Sequence, residues 1–174
     1  VDLAGLPPRD DPGYGQAVLN LLSLEYAVKG CTAAITLQDG VIRGIVVPQE
    51  GIEPQEYVLG LLNHGFLEDA LPSLEILSEM TGDAEINFNY GLCLSELGRV
   101  EEALRPLQEC LRTLPEHLHA RVALGVAYTK LDNLDQAESV LRKAAEQKSD
   151  DYWVNRNLAG VLSNDTLAFS VYNG

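Results

Sequence analysis

Residues 91 to 104 read GLCLSELGRVEEAL. A small residue, a Leu-Gly break and then an alanine stand at fixed spacings, and the same arrangement returns one period downstream. Gly91 recurs as Gly125, Leu94 as Tyr128, Leu97 as Leu131, Ala103 as Ala137, Leu107 as Leu141 and Cys110 as Ala144. At a step of 33 upstream, Gly98, Ala103 and Leu107 match Gly65, Ala70 and Leu74. Further downstream, Leu124, Gly125 and Tyr128 are echoed by Leu158, Ala159 and Leu162. A period near 34 marks a stack of helix-turn-helix units.

The spacing has a physical reason. Small residues at Gly91, Gly125, Ala103 and Ala137 let two antiparallel helices approach closely, and large residues at i, i+3 and i+4 fill the seam. Gly65 and Gly98 can adopt the positive φ that a short turn after a helix needs, and Asp132-Asn133 can do the same after Leu131. Each helix pair leaves an apolar face uncovered, so neighbours must stack. The pattern predicts helices at 53–64, 68–80, 84–97, 101–113, 118–131, 135–147 and 152–163. Pro72 and Pro106 fall inside second helices, where proline removes a hydrogen bond and crowds the preceding turn. Pro72 is near enough the start to be tolerated, and Pro106 predicts a bend.

With Tyr90-Gly91-x-x-Leu94 and Leu124-Gly125-x-x-Tyr128 in first helices, Ala-x-x-x-Leu at 70, 103 and 137, and Pro115 closing one unit, the chain resembles the tetratricopeptide repeat family. The resemblance covers about residues 51–163. It departs from the family pattern where Asn87 and Arg121 occupy the slot of the usual tryptophan. It implies an all-α fold, a right-handed superhelical array of helix-turn-helix repeats. The repeats would run about 51–83, 84–117 and 118–151, with a half-repeat at 152–163. Residues 1–15 read as an extended lead and 164–174 as an apolar, β-prone tail. Residues 16–50 read either as a small non-repeat cap or as a degenerate repeat. An apolar helix fits 16–29, and Asp39-Gly40 between β-branched runs signals a hairpin, whereas Leu22, Tyr26 and Gly30 echo a first helix.

The formal net charge is −14, from 12 basic and 26 acidic residues. A nucleic-acid surface needs clustered Lys and Arg, so nucleic acid and anionic membranes are poor partners, and solubility or a basic partner fits better. Cys31, Cys93 and Cys110 lie far apart, without zinc spacing. Cys93 and Cys110 stand where the family places alanine and read as packing residues; Cys31 is less constrained. No run approaches a membrane span. Nothing like a leader opens the chain at Val1, whose missing Met suggests a trimmed start, and the expectation is a reducing, cytoplasmic setting.

No catalytic, metal or cofactor constellation is expected. His117-Leu118-His119 places two imidazoles at a repeat junction, where solvated loop histidines are the expectation. His64 at a helix end can meet carbonyls and the negative dipole end. Gly13-Tyr14-Gly15 lacks the strand and third glycine of a dinucleotide loop. Asp10-Asp11 and Asp150-Asp151 read as turn or helix-start residues.

The resemblance implies that first helices line a concave groove. Its positions carry to Ile52, Gln55, Leu59 and Leu62, then Glu85, Phe88, Asn89, Leu92 and Ser95, then His119, Val122, Val126 and Thr129, and last Trp153 and Arg156. The expected partner-binding set is Leu59, Leu62, Phe88, Asn89, Leu92, Val122, Val126, Trp153 and Arg156, with Phe88 and Leu92 able to turn into the repeat interface instead. Asn89 matches one slot of the family's carboxylate clamp, but Gln55, Leu59, His119 and Ala123 occupy the others, so no such clamp is expected. The implied function is a non-enzymatic module, adaptor or chaperone-like, holding an apolar or basic protein segment by burial. The alternatives are a self-associating scaffold and, behind it, the accessory part of an enzyme.

Overall fold

The computed structural model describes residues 6–8, 10–28, 32–38, 41–47 and 52–163. Cys31, Asp39-Gly40, Pro48 and the tail 164–174 lie outside the described residues, as does the start of the lead. The chain divides into two compact units, Val1–Met80 and Thr81–Gly174.

The first unit opens on a turn in which Asp11 N–H donates to the Pro8 carbonyl and Gly13 N–H donates to Asp11 Oδ1. Helix α1 (Tyr14–Val28) follows, then an antiparallel pair, β1 (Thr32–Gln38) and β2 (Val41–Val47). Gln38 faces Val41 across two intervening residues, and Thr32 faces Val47. Strands here fit the non-repeat cap, and the degenerate-repeat alternative falls: the β-branched alternation of TLQDGVIRGIVV outweighs its helical echoes. Helix α1 packs against β1. A Cβ on Gly15 would come 2.8 Å from Leu37 Cδ2, so glycine permits that approach. Ile45 and Val47 are buried, while Arg43, on the same face of β2, pairs with Glu79 at 3.2 Å. The unit ends with α2 (Pro54–Asn63) and α3 (Leu67–Thr81).

The second unit stacks α4 (Ala84–Glu96), α5 (Val100–Thr113), α6 (Leu118–Lys130), α7 (Leu134–Gln147) and α8 (Tyr152–Ser163). All seven repeat helices lie within two residues of the predicted bounds. The close approaches are real. A Cβ on Gly91 would meet Leu107 Cγ at 2.5 Å, and one on Gly125 would meet Leu141 Cγ at 2.6 Å. The turns repeat as well: Gly65, Gly98 and Asp132 have φ of 75°, 78° and 58°. The following N–H groups, of Phe66, Arg99 and Asn133, reach back to the carbonyls of Leu61, Leu94 and Tyr128. This is the closing bond of a Schellman turn. Helices α3 and α5 run on through Pro72 and Pro106.

Candidate partner-binding surface

First helices of the second unit begin on side-chain caps at one slot. Asp83 Oδ1 accepts from Ile86 N–H (3.0 Å), His117 Nδ1 from Ala120 N–H (3.0 Å) and Asp151 Oδ1 from Val154 N–H (3.1 Å). Successive caps stand one repeat period apart. The Val154 N–H bond above all, then the Lys148 side chain and the Trp153 N–H, holds the Asp151 carboxyl below its ordinary range, against an opposing effect of burial. His117 is therefore no solvated loop residue. Its side chain is 8% exposed. Because Nδ1 accepts, the neutral ring carries its proton on Nε2, which faces Glu85 Oε1 at 3.3 Å. Its ring packs on Phe88 with centroids 4.5 Å apart. His119 is exposed, its ring 6.3 Å from that of His117. Among the described residues, no three His, Cys, Asp or Glu are grouped to hold a metal.

On α4, Phe88, Asn89 and Leu92 are half-buried, and Glu85 is exposed beside them. On α8, Trp153 and Arg156 are half-buried, with the guanidinium 5.5 Å from the centroid of the indole ring. The expectation fails at α6. Val122 and Val126 are 4% and 3% exposed and join Ala144 and Val154 in a core cluster backed by Leu118 and Ala145. Helix α6 lies among α5, α7 and α8, so the face that would have lined a groove is covered. In the first unit, Leu59 is 41% exposed and Leu62 half-buried.

Sequence reasoning missed the replacement for the absent tryptophan. Asn87 is buried in that slot. Arg121 donates to Gln147 Oε1 (3.2 Å) and to the Pro115 carbonyl, and Gln147 Nε2 donates to the Glu116 carbonyl (2.5 Å). A polar clasp thus ties α6 and the end of α7 to the junction before α6. His64 makes the carbonyl contact expected of it, with Nδ1 2.7 Å from Gly60 O. Cys93 and Cys110 are buried thiols. Burial, with the charges of Glu85 and Asp83, pushes the Cys110 thiol up to about 11. No described helix is long and apolar enough to cross a membrane.

A family model described as anaphase-promoting complex, cyclosome, subunit 3 matches residues 63–144. Among solved structures, the chain is similar to YrrB, described as a TPR protein with an unusual peptide-binding site. The identity is 27% and the TM-score 0.55, over 60% of this chain and 57% of that one, so the chain spans less than two thirds of YrrB. The second TPR domain of human RPAP3, solved with the HSP70 peptide SGPTIEEVD, matches at 15% identity and a TM-score of 0.58, over 63% of this chain and 92% of that one. MamA matches at 17% identity and a TM-score of 0.61, over 66% and 68%. The latter two identities bear on the fold alone. No curated protein sequence gives a significant match.

Proposed function

We propose that the chain, which shares the fold of tetratricopeptide repeat proteins, is a non-enzymatic module that binds a protein segment along the first helices of its repeats. The observation that carries this reading is the strip Phe88, Asn89 and Leu92 on α4, which leaves two large apolar side chains half-open in the slots where α6 has a closed core. YrrB, a 27% identical relative, is described as having a peptide-binding site, which supports a peptide as the ligand class. Binding is by burial on a preformed surface, so little receptor ordering opposes it, and each side chain buried contributes roughly 1.5–3 kcal/mol. Adaptor and chaperone-like roles both use this chemistry.

The ligand is not an acidic peptide like the HSP70 peptide SGPTIEEVD of the RPAP3 complex. Gln55, Leu59, His119 and Ala123 stand in the clamp slots, and Ala123 is buried. None of these four supplies the cationic donors that hold a carboxylate.

Selection of a displayed random-peptide library on the full chain tests the reading. Enriched peptides should bind the parent and lose binding to a Phe88→Glu, Leu92→Glu variant that keeps its helical circular dichroism. Failure to enrich any sequence, or equal binding to both proteins, would refute it. The self-associating scaffold has one observation in its favour, the exposed Val41, Ile42 and Val46 of β2, a strand that pairs with β1 alone among the described residues. It predicts a mass in solution that rises with concentration.

A further inference from the structure

The two strands of the first unit differ in cover. Residues 41–44 and 46 of β2 are exposed, whereas β1 is half-buried from Thr32 to Thr36. Ile42, Gly44 and Val46 stand on one sheet face with their β1 partners Leu37, Ile35 and Ala33. Helix α1 lies on that face over β1, where Gly15 meets the Leu37 side chain. Past it, Ile42 and Val46 remain 45% and 37% exposed. On the opposite face Ile45 and Val47 are buried and Arg43 is held by Glu79. The backbone follows the same division. A two-residue connection is closed by a hydrogen bond between its flanking residues, here Gln38 and Val41. Bonded and non-bonded pairs then alternate along the ladder, which turns the N–H and C=O of Ile42, Gly44 and Val46 away from β1. Natural sheet edges are blunted by short strands, lysine, proline or bulges. Strand β2 runs for seven residues in unbroken register, without lysine or proline.

We propose that β2 pairs antiparallel with the β2 of a second copy of this chain, on a two-fold axis at Gly44, so that two hairpins make one four-stranded sheet. The strand is self-complementary about that point. Gly44 faces Gly44, and Ile42 faces Val46 on either side of it, each pair exchanging backbone bonds through the groups that β1 leaves free. The β-branched side chains at 42 and 46 of both copies then close one strip between the two α1 helices, on a face that carries no charged residue. Charge also favours a second copy at this place. The chain carries −14, yet residues 26–49 hold one acid, Asp39, and two bases, Lys29 and Arg43. Two copies therefore meet where their negative charge is sparse. A foreign strand could use the same backbone bonds, but the matching of Ile42 with Val46 in the same register belongs to the copy. One seven-residue edge is a small contact, so the dimer is weak, half-dissociated in the range of about 1–100 μM. The inference goes beyond the peptide-binding reading and does not depend on it.

Sedimentation velocity of the full chain from about 1 to about 500 μM should show monomer passing to dimer and nothing larger, because a two-fold contact closes. Ile42→Lys, Val46→Lys, at exposed positions, should raise the midpoint at least about tenfold with unchanged circular dichroism. Ile42→Cys, Val46→Cys reads the register. Facing residues of a bonded pair have Cα atoms about 5.5 Å apart, within reach of a disulfide, whereas positions 42 and 46 of one copy lie about 13 Å apart along the strand. Mild oxidation should therefore give a covalent dimer in which mass spectrometry finds 42 joined to 46. The Phe88→Glu, Leu92→Glu variant should dimerise as the parent does. A monomer at every concentration would overturn the proposal, as would growth past two copies. So would a dimer that the lysines leave unchanged, bridges that join 42 to 42 or 46 to 46, or a dimer that Phe88→Glu, Leu92→Glu dissolves. A monomeric chain would leave peptide capture on α4 untouched, and a chain that captures no peptide could still dimerise, so the two readings fail separately.

Discussion

Helices α4 and α6 are the same element one repeat period apart, yet they present different surfaces. Phe88 and Leu92 on α4 are half-buried, and their counterparts Val122 and Val126 on α6 are core. Both helices keep a glycine against a leucine of the second helix, Gly91 on Leu107 and Gly125 on Leu141. Both start on a side-chain cap at the same slot. What differs is the neighbourhood. Val122 and Val126 pack with Ala144 of α7 and Val154 of α8, whereas Phe88 rests against the His117 ring. A repeat slot therefore specifies which way a side chain points, and the residues in the facing slots decide how far it is covered.

The largest contrast is available by placing a charge in the same slot twice. Val126→Glu buries an unpaired carboxylate and should lower the unfolding free energy by about 3–5 kcal/mol. Leu92→Glu can reach water and should lose about 1 kcal/mol. Urea unfolding measures both, and equal losses would erase the distinction. Next in size is the small-residue slot. Gly91→Val or Gly125→Val forces Leu107 or Leu141 aside and should cost about 1–3 kcal/mol through overpacking. The third occurrence, Ala159 on α8, is exposed, so Ala159→Val should change thermal stability by no more than about 0.7 kcal/mol, the helix-propensity difference.

The caps sharpen the comparison at smaller scale. Asp151→Ala should cost about 1 kcal/mol. The Val154 N–H bond and the other contacts lower the Asp151 pKa in the folded chain. Its contribution is therefore fully present above the ordinary carboxylate range and is lost as pH falls through the lowered folded value. Titrating parent and variant together by circular dichroism should show their stabilities converging on the acid side of that range. Smallest in energy is the behaviour of the thiols between α4 and α5. With Cys110 pushed up to about 11 and Cys93 buried, neither should react with a thiol reagent at neutral pH until urea unfolds the unit. Mass spectrometry of the labelled peptides reads this directly.

The repeat was legible because its signals are local. Leu-Gly breaks, small slots and the Ala-x-x-x-Leu pairs place every helix, and Gly65, Gly98 and Asp132 adopt the positive φ their turns require. The hairpin was half legible, since periodicity 2 and a helical echo competed over the same residues. Burial of Val122 and Val126 was not legible, because the period assigns them the same slot as Phe88 and Leu92 and does not tell how closely Ala144 and Val154 pack on them. The cap at His117 could have been found, since Asp83 and Asp151 stand one period to either side of it. The clasp of Arg121, Gln147 and the 115–116 carbonyls could not, because it joins polar residues that carry no periodic signal. The division after Met80 falls inside the run 44–98, which holds no Lys or Arg, so no local change of charge marks it.

Helix α4 is the half-open counterpart of a closed α6. Hydrogen exchange of the full chain, with and without a library-selected peptide, tests this most directly. The expected result is added protection across residues 84–96 on binding and none across 118–130, whose amides are already held in the core. Added protection confined to 118–130, or spread evenly over both helices, would contradict it.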